Sequence, residues 1–193
     1  MYNIINSLRL LIIYGMVIIM DDTKVKDMVY TALFAALVCV STFIIKVPLP
    51  VTGGYAHIGD GAIFLAVILI GKKNGAWAGA IGAALADIIG AYSFYALPTF
   101  IIKGVMALIM GAMIEKLPSS IKHKWVAGAL TGSVWQVLAY YVVGSLMVGN
   151  FLTTISEIPG NTAQSAVGII VSAAFLAAFK HTPIEVWGHT FRR

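Results

Sequence analysis

Six apolar stretches, separated by short turns, constrain this chain more than any other feature of it. They fall at about residues 28–45, 60–70, 75–91, 98–117, 125–148 and 163–179, the second being short. An apolar run of roughly 18 residues or more is long enough to cross a bilayer as a helix. Of 193 residues, 60% are hydrophobic and 11% charged, against about 25% charged in a soluble domain. The mean hydropathy is +0.91. These values predict an all-α integral membrane protein with six transmembrane helices in one domain, residues 20–193, and leave no room for a soluble module. Residues 1–19 are apolar but interrupted by Arg9, and Asp21 and Asp22 follow where a signal peptide would show small residues. They read as an extension ahead of a start at Met20, or else as an interfacial or spanning helix. Between the first two spans, VPLPVTGGYAHIG (47–59) contains two prolines and the pair Gly53-Gly54, which forbid a continuous helix.

Basic residues set the expected orientation. Lys24, Lys26, Lys72, Lys73, Lys116, Lys122, Lys124, Lys180, Arg192 and Arg193 fall on one side of the spans, and Lys46 alone on the other. The positive-inside rule then predicts a multi-pass protein of the cell membrane with both termini cytoplasmic, provided residues 1–19 do not cross. The segments 47–59, 92–97 and 149–162 face outward. Topology therefore accounts for the net charge of +5 without a nucleic-acid partner. The single Cys39 cannot form an internal disulfide.

Several chemistries lack their motifs. Gly71-Lys-Lys-Asn-Gly75 does not have the spacing of a phosphate-binding P-loop. His57, His123, His181 and His189 are not spaced as metal ligands. No G-x-S-x-G motif occurs. The sequence predicts no enzyme, no catalytic residues, no metal and no cofactor.

What remains is a set of polar residues at the outward ends of the spans. A charge within hydrocarbon costs about 2.5–3.5 kcal/mol on insertion scales and faces a partner or a cavity. Asp87, one turn before Gly90, and Lys103, just over one turn after Pro98, are expected at similar depth on neighbouring spans. They read either as a structural ion pair or as ligand contacts. His57 and Asp60 open the second span and read either as ligand contacts or as local caps. Tyr55, Tyr95, Thr99, Tyr140, Asn161 and Gln164 add ring faces, hydroxyls and amides, as do Tyr92, Trp135, Tyr141 and Asn150. An interfacial aromatic belt accounts for Tyr92 and Tyr95 equally well. Gln136 is a mid-span amide and requires a partner, whether a ligand or another helix. Such groups suit a small polar aromatic ligand. Stripes of small residues at Gly75, Gly79 and Ala83, at Gly104, Ala107 and Gly111, and at Gly128 and Gly132 read as helix-packing faces.

Over about residues 27–180 the sequence resembles the substrate-binding S components of energy-coupling factor (ECF) vitamin transporters, in the riboflavin-transporter-type branch that also holds pyridoxine and hydroxymethylpyrimidine carriers. The resemblance lies in His57-Ile-Gly59-Asp60, in the Gly/Ala-rich third span ending Ala86-Asp87, in Tyr95-Ala-x-x-Thr99-x-x-x-Lys103-Gly104, and in Ala32-x-x-x-Ala36. It implies a six-helix fold with an external pocket roofed by the 47–59 loop. The implied partners are a vitamin substrate, a membrane coupling subunit that Ala32 and Ala36 contact, and two ABC-type ATPases. The implied action is to bind the vitamin outside and release it inside by toppling in the membrane. Both charge signs beside tyrosines favour a hydroxylated pyridine or pyrimidine over a flavin. The rival reading is a stand-alone secondary transporter or channel, which would show internal repeats that this chain lacks.

Overall fold

The structure, a computed structural model, describes residues 23–49 and 54–179. The expectations for residues 1–19, His181, His189, Lys180, Arg192, Arg193 and the tip of the 47–59 loop lie outside the described residues. The elements run α1 (Thr23–Ile44), β1 (Lys46–Leu49), β2 (Gly54–His57), α2 (Gly59–Ile89), α3 (Ser93–Lys116), α4 (Lys124–Val148), a short α5 (Phe151–Thr154) leading through a 3-10 turn (Ile155–Glu157), and α6 (Ile158–Ala178). Five helical segments are long and apolar enough to cross a membrane: Lys24–Ile44, Gly59–Ile89, Ser93–Lys116, Lys124–Val148 and Phe151–Ala178. This is an all-α membrane protein with one small β-hairpin, whose outer surface carries exposed Leu33, Leu130, Leu138 and Ile170, as a lipid-facing surface requires.

The 31-residue α2 is not straight. Gly71 has φ 85° and ψ 170°, outside the helical region; glycine tolerates this because it has no Cβ. A Cβ built on Gly75 would stand 2.7 Å from the Cα of Val67, and one on Gly79 would stand 2.9 Å from Cγ2 of Ile63. Both pairs are symmetric about Gly71, so the arms 59–70 and 72–89 lie antiparallel and in contact. The small-residue stripe at Gly75 and Gly79 therefore closes a helical hairpin. Gly82 turns to α1, where its Cβ would stand 2.3 Å from the carbonyl oxygen of Ala35. Glycines of α4 pack likewise on α3, and Gly168 of α6 lies against Asp60 and Gly61.

Every residue of the arm 59–70 is buried. A helix apolar on all sides belongs at the centre of a bundle, and this one lies among α1, α3, α6 and the second arm. Phe64, Ile63, Met106, Met110 and Val38 form the core around it. The arm is short, about 18 Å, whereas 72–89 extends about 27 Å from the same turn. Asp60 therefore lies roughly 7 Å deeper than Asp87 along the hairpin axis, by the rise per residue.

Two expectations change here. The span expected to start at Pro98 starts at Ser93, with Pro98 inside the helix. Membrane helices accommodate an internal proline because neighbouring groups satisfy the freed backbone. Lys103 thus sits about 15 Å into α3 rather than just over one turn. The proline-rich 47–59 segment is a β-hairpin rather than a loop: β1 and β2 pair antiparallel with Lys46 opposite His57 and Leu49 opposite Gly54.

Candidate ligand-binding site beneath the hairpin

The added depth of Lys103 decides its partner. Its Nζ donates to Oδ1 of Asp60 at 2.5 Å, with both side chains fully buried. It also donates to Oε1 of Gln136. Gln136 Nε2 donates to Oδ2 of Asp60 at 2.7 Å and to Oγ of Ser165 at 2.9 Å. Gln164 Nε2 reaches the same Oδ2 at 2.9 Å, and its Oε1 accepts the backbone N–H of His57 at 3.0 Å. One polar node thus ties α2, α3, α4, α6 and β2 together. The helices can hold a charge pair there because each acceptor and donor finds a partner, the condition under which buried ions are tolerated.

The expected acid–base neighbour of Lys103, Asp87, is engaged elsewhere. It lies nearer the hairpin, and Tyr55 of β2 donates its hydroxyl to Asp87 Oδ1 at 2.7 Å. Asp87 is 4% exposed, and its Oδ2 has no hydrogen-bond partner. Local capping by Asp60 also gives way. The first backbone N–H of α2, at Gly59, donates to Nδ1 of His57 at 3.0 Å, so the histidine takes the capping role. Burial, followed by the Lys103 charge, pushes the His57 imidazole down to about 3, so it is neutral near pH 7. Burial and the bond to Asp87 push the Tyr55 phenol above its ordinary value, which keeps it a donor.

A third contact joins α3 to α4: Tyr140 donates to Thr99 Oγ1 at 3.1 Å, and Lys103 Nζ lies 5.4 Å from the centre of the Tyr140 ring. Trp135 fixes the same interface by donating from its indole N–H to the Ile102 carbonyl at 3.1 Å. Tyr95 is buried, its ring 4.8 Å from that of Phe94. Asn161 is buried but donates within its own helical turn to the Glu157 carbonyl at 3.3 Å. Asn150 caps α5, and Tyr141 donates to the Phe151 carbonyl. These last three are satisfied locally, away from the node. Ala32 and Ala36 are exposed on α1, beside exposed Leu33 and Leu37.

Sequence reasoning missed Ser165, whose position beside Gln164 gave no signal of its own. It also missed the part played by Lys46. The Lys46 ammonium sits among three rings, 4.4 Å from Tyr55, 4.6 Å from Phe43 and 5.1 Å from Tyr92. Such cation–π contacts are worth about 0.5–2 kcal/mol each. They join the hairpin to the turn between α2 and α3. The exception to the charge asymmetry was the available clue: Lys46 was the one basic residue on its side.

A membrane bundle with buried carboxylates and tyrosine rings beneath a hairpin has the form of a solute-binding membrane subunit. The description ECF-type riboflavin transporter, S component, matches residues 22–181, and the chain belongs to that family. It is a substrate-binding transporter subunit and not an enzyme. A Pyrococcus woesei protein named for its place in the gap 3′ region is 33% identical over 134 residues, 69% of this chain and 88% of the relative. The thiamine precursor transporter HmpT of Lactococcus lactis subsp. cremoris (strain MG1363) is 28% identical over 167 residues, 86% of this chain and 95% of the relative.

Proposed function

We propose that the chain captures a small heteroaromatic vitamin precursor from outside the cell, hydroxymethylpyrimidine first and pyridoxine second, and releases it inside. The observation that carries this reading is the pairing of buried polar groups with tyrosine rings directly under the hairpin. Asp87 and Tyr55 form the upper level, Thr99 and Tyr140 join the adjacent helices, and the Asp60–Lys103–Gln136–Gln164 node forms the floor. His57 and Tyr95 complete the walls. Similarity to HmpT over 86% of this chain supports a pyrimidine over a flavin, and riboflavin is the next candidate.

In this reading the two arms of α2 are separate crossings, giving six in all, the hairpin faces outward as a lid, and Lys72, Lys73, Lys116, Lys122 and Lys124 face the cytoplasm. The exposed Ala32 and Ala36 meet a membrane coupling subunit that works with two ABC-type ATPases. The test is to purify the full chain and titrate it with hydroxymethylpyrimidine, pyridoxine and riboflavin, with mass spectrometry of whatever small molecule it retains. Submicromolar binding of the pyrimidine and co-purification of a coupling subunit with ATPases are the expected results. Steady solute uptake into liposomes by the chain alone would instead favour a stand-alone transporter.

A further inference from the structure

The polar groups under the hairpin differ in how completely they are used. Both Asp60 oxygens are taken, Oδ1 by Lys103 and Oδ2 by two glutamine amides. Asp87 is different. Its Oδ1 has the Tyr55 hydroxyl, but nothing donates to Oδ2, although the residue is 4% exposed. No lysine or arginine among the described residues comes within 4.0 Å of it. Lys46, its ammonium among three aromatic rings, and Lys103 act on it through space but make no ion pair with it. Thr99 lies close by, and accepting from Tyr140 leaves its own O–H as a donor, but it makes no hydrogen bond to Oδ2. A buried acceptor left without a donor is costly, and an ionisable group kept in such a place within a membrane span marks a functional position.

We infer that Asp87 Oδ2 is the polar anchor for the ligand, and that the ligand class is a heteroaromatic ring presenting an N–H donor, an exocyclic amine or a protonated ring nitrogen. This rests on the small-heteroaromatic reading above and narrows it. An N–H donor supplies what Oδ2 lacks, and it forms the stronger, charge-assisted kind of hydrogen bond. A bare metal ion does not fit, because no group of three His, Cys, Asp or Glu side chains converges there among the described residues. Ring surface is at hand: Tyr55, which bonds the carboxylate, lies with its ring centroid 4.6 Å from that of Tyr92. Because Tyr55 belongs to β2 and holds Oδ1, the ligand and the hairpin share one carboxylate. Closing the lid and reading the amine therefore occur at the same side chain, while the saturated node below serves as scaffold.

The experiment compares two probes on the full-length purified protein by calorimetry: 4-amino-5-hydroxymethyl-2-methylpyrimidine and the same ring lacking the 4-amino group. Wild-type protein is expected to prefer the amine-bearing probe by about tenfold or more. In Asp87→Ala the preference falls to about one. If that variant does not purify as a single folded species, Asp87→Asn serves, with the preference expected to shrink severalfold. Equal wild-type affinity for the two probes, or an undiminished preference in the folded Asp87 variants, overturns the inference and leaves the heteroaromatic reading standing. Failure of the wild-type protein to bind either pyrimidine, pyridoxine or riboflavin overturns both.

Discussion

Lys103 and Asp60, 43 residues apart, meet at 2.5 Å with neither side chain exposed. Each also bonds Gln136, so the pair is part of a closed set. Removing one partner strands the other charge. Lys103→Met is expected to destabilise the protein by about 3–5 kcal/mol, and the double variant Lys103→Met, Asp60→Asn to recover a large part of that loss. Thermal unfolding in detergent reads both. Equal stability of wild type and Lys103→Met would show that the pair is not holding the bundle together.

Tyr55 ties the hairpin to the helices through Asp87 Oδ1. A hydrogen bond to a charged group contributes about 1.5–3 kcal/mol. Tyr55→Phe is therefore expected to speed ligand release by about tenfold or more with little change in the fold, measured by stopped-flow displacement. An unchanged release rate would separate the hairpin from ligand retention.

His57 makes stability depend on pH. Its folded imidazole titrates at about 3, and a free histidine near 6.5. Between those values the unfolded chain binds a proton that the folded chain does not. Stability therefore falls as pH drops below about 6.5, by about 2 kcal/mol at pH 5. A protonated Nδ1 also cannot accept the Gly59 N–H. His57→Gln should flatten the midpoint-against-pH profile between pH 7 and 5. Parallel profiles for the two proteins would assign the slope to other groups.

The α2 hairpin distinguishes two glycines. A Cβ on Gly75 meets the backbone of Val67, which cannot move aside, whereas one on Gly79 meets the end of the Ile63 side chain. Gly75→Ala is expected to cost about 1–3 kcal/mol and Gly79→Ala less, read as midpoint shifts in detergent. The reverse order would mean that the arms meet in another register.

Ala32 and Ala36 point away from the protein's own core. Ala32→Leu with Ala36→Leu is expected to leave folding and ligand titration unchanged while abolishing co-purification of a coupling subunit. Retained co-purification would move the docking face elsewhere.

Much of this was legible in the residues. The non-helical 47–59 segment, the apolar spans and the turn near Gly71 followed from proline, glycine and hydropathy, which act locally. Gln136 was correctly identified as an amide in need of a partner. The identity of that partner was not legible. Counting residues from Pro98 placed Lys103 too shallow, because a helix can begin before a proline when its neighbours satisfy the backbone, and Asp87 then looked like the natural counter-ion.

The order of spans, the charge asymmetry between their ends and the presence of a few ionisable groups in apolar surroundings were determined by the sequence, since each depends on the transfer of individual side chains from water to hydrocarbon. Tertiary structure alone decided which charge met which. On the short arm 59–70 Asp60 lies roughly 7 Å below Asp87 on its longer partner, so Asp60 reaches Lys103 and leaves Asp87 to Tyr55. That offset is a property of two packed helices of unequal length, and no single residue encodes it.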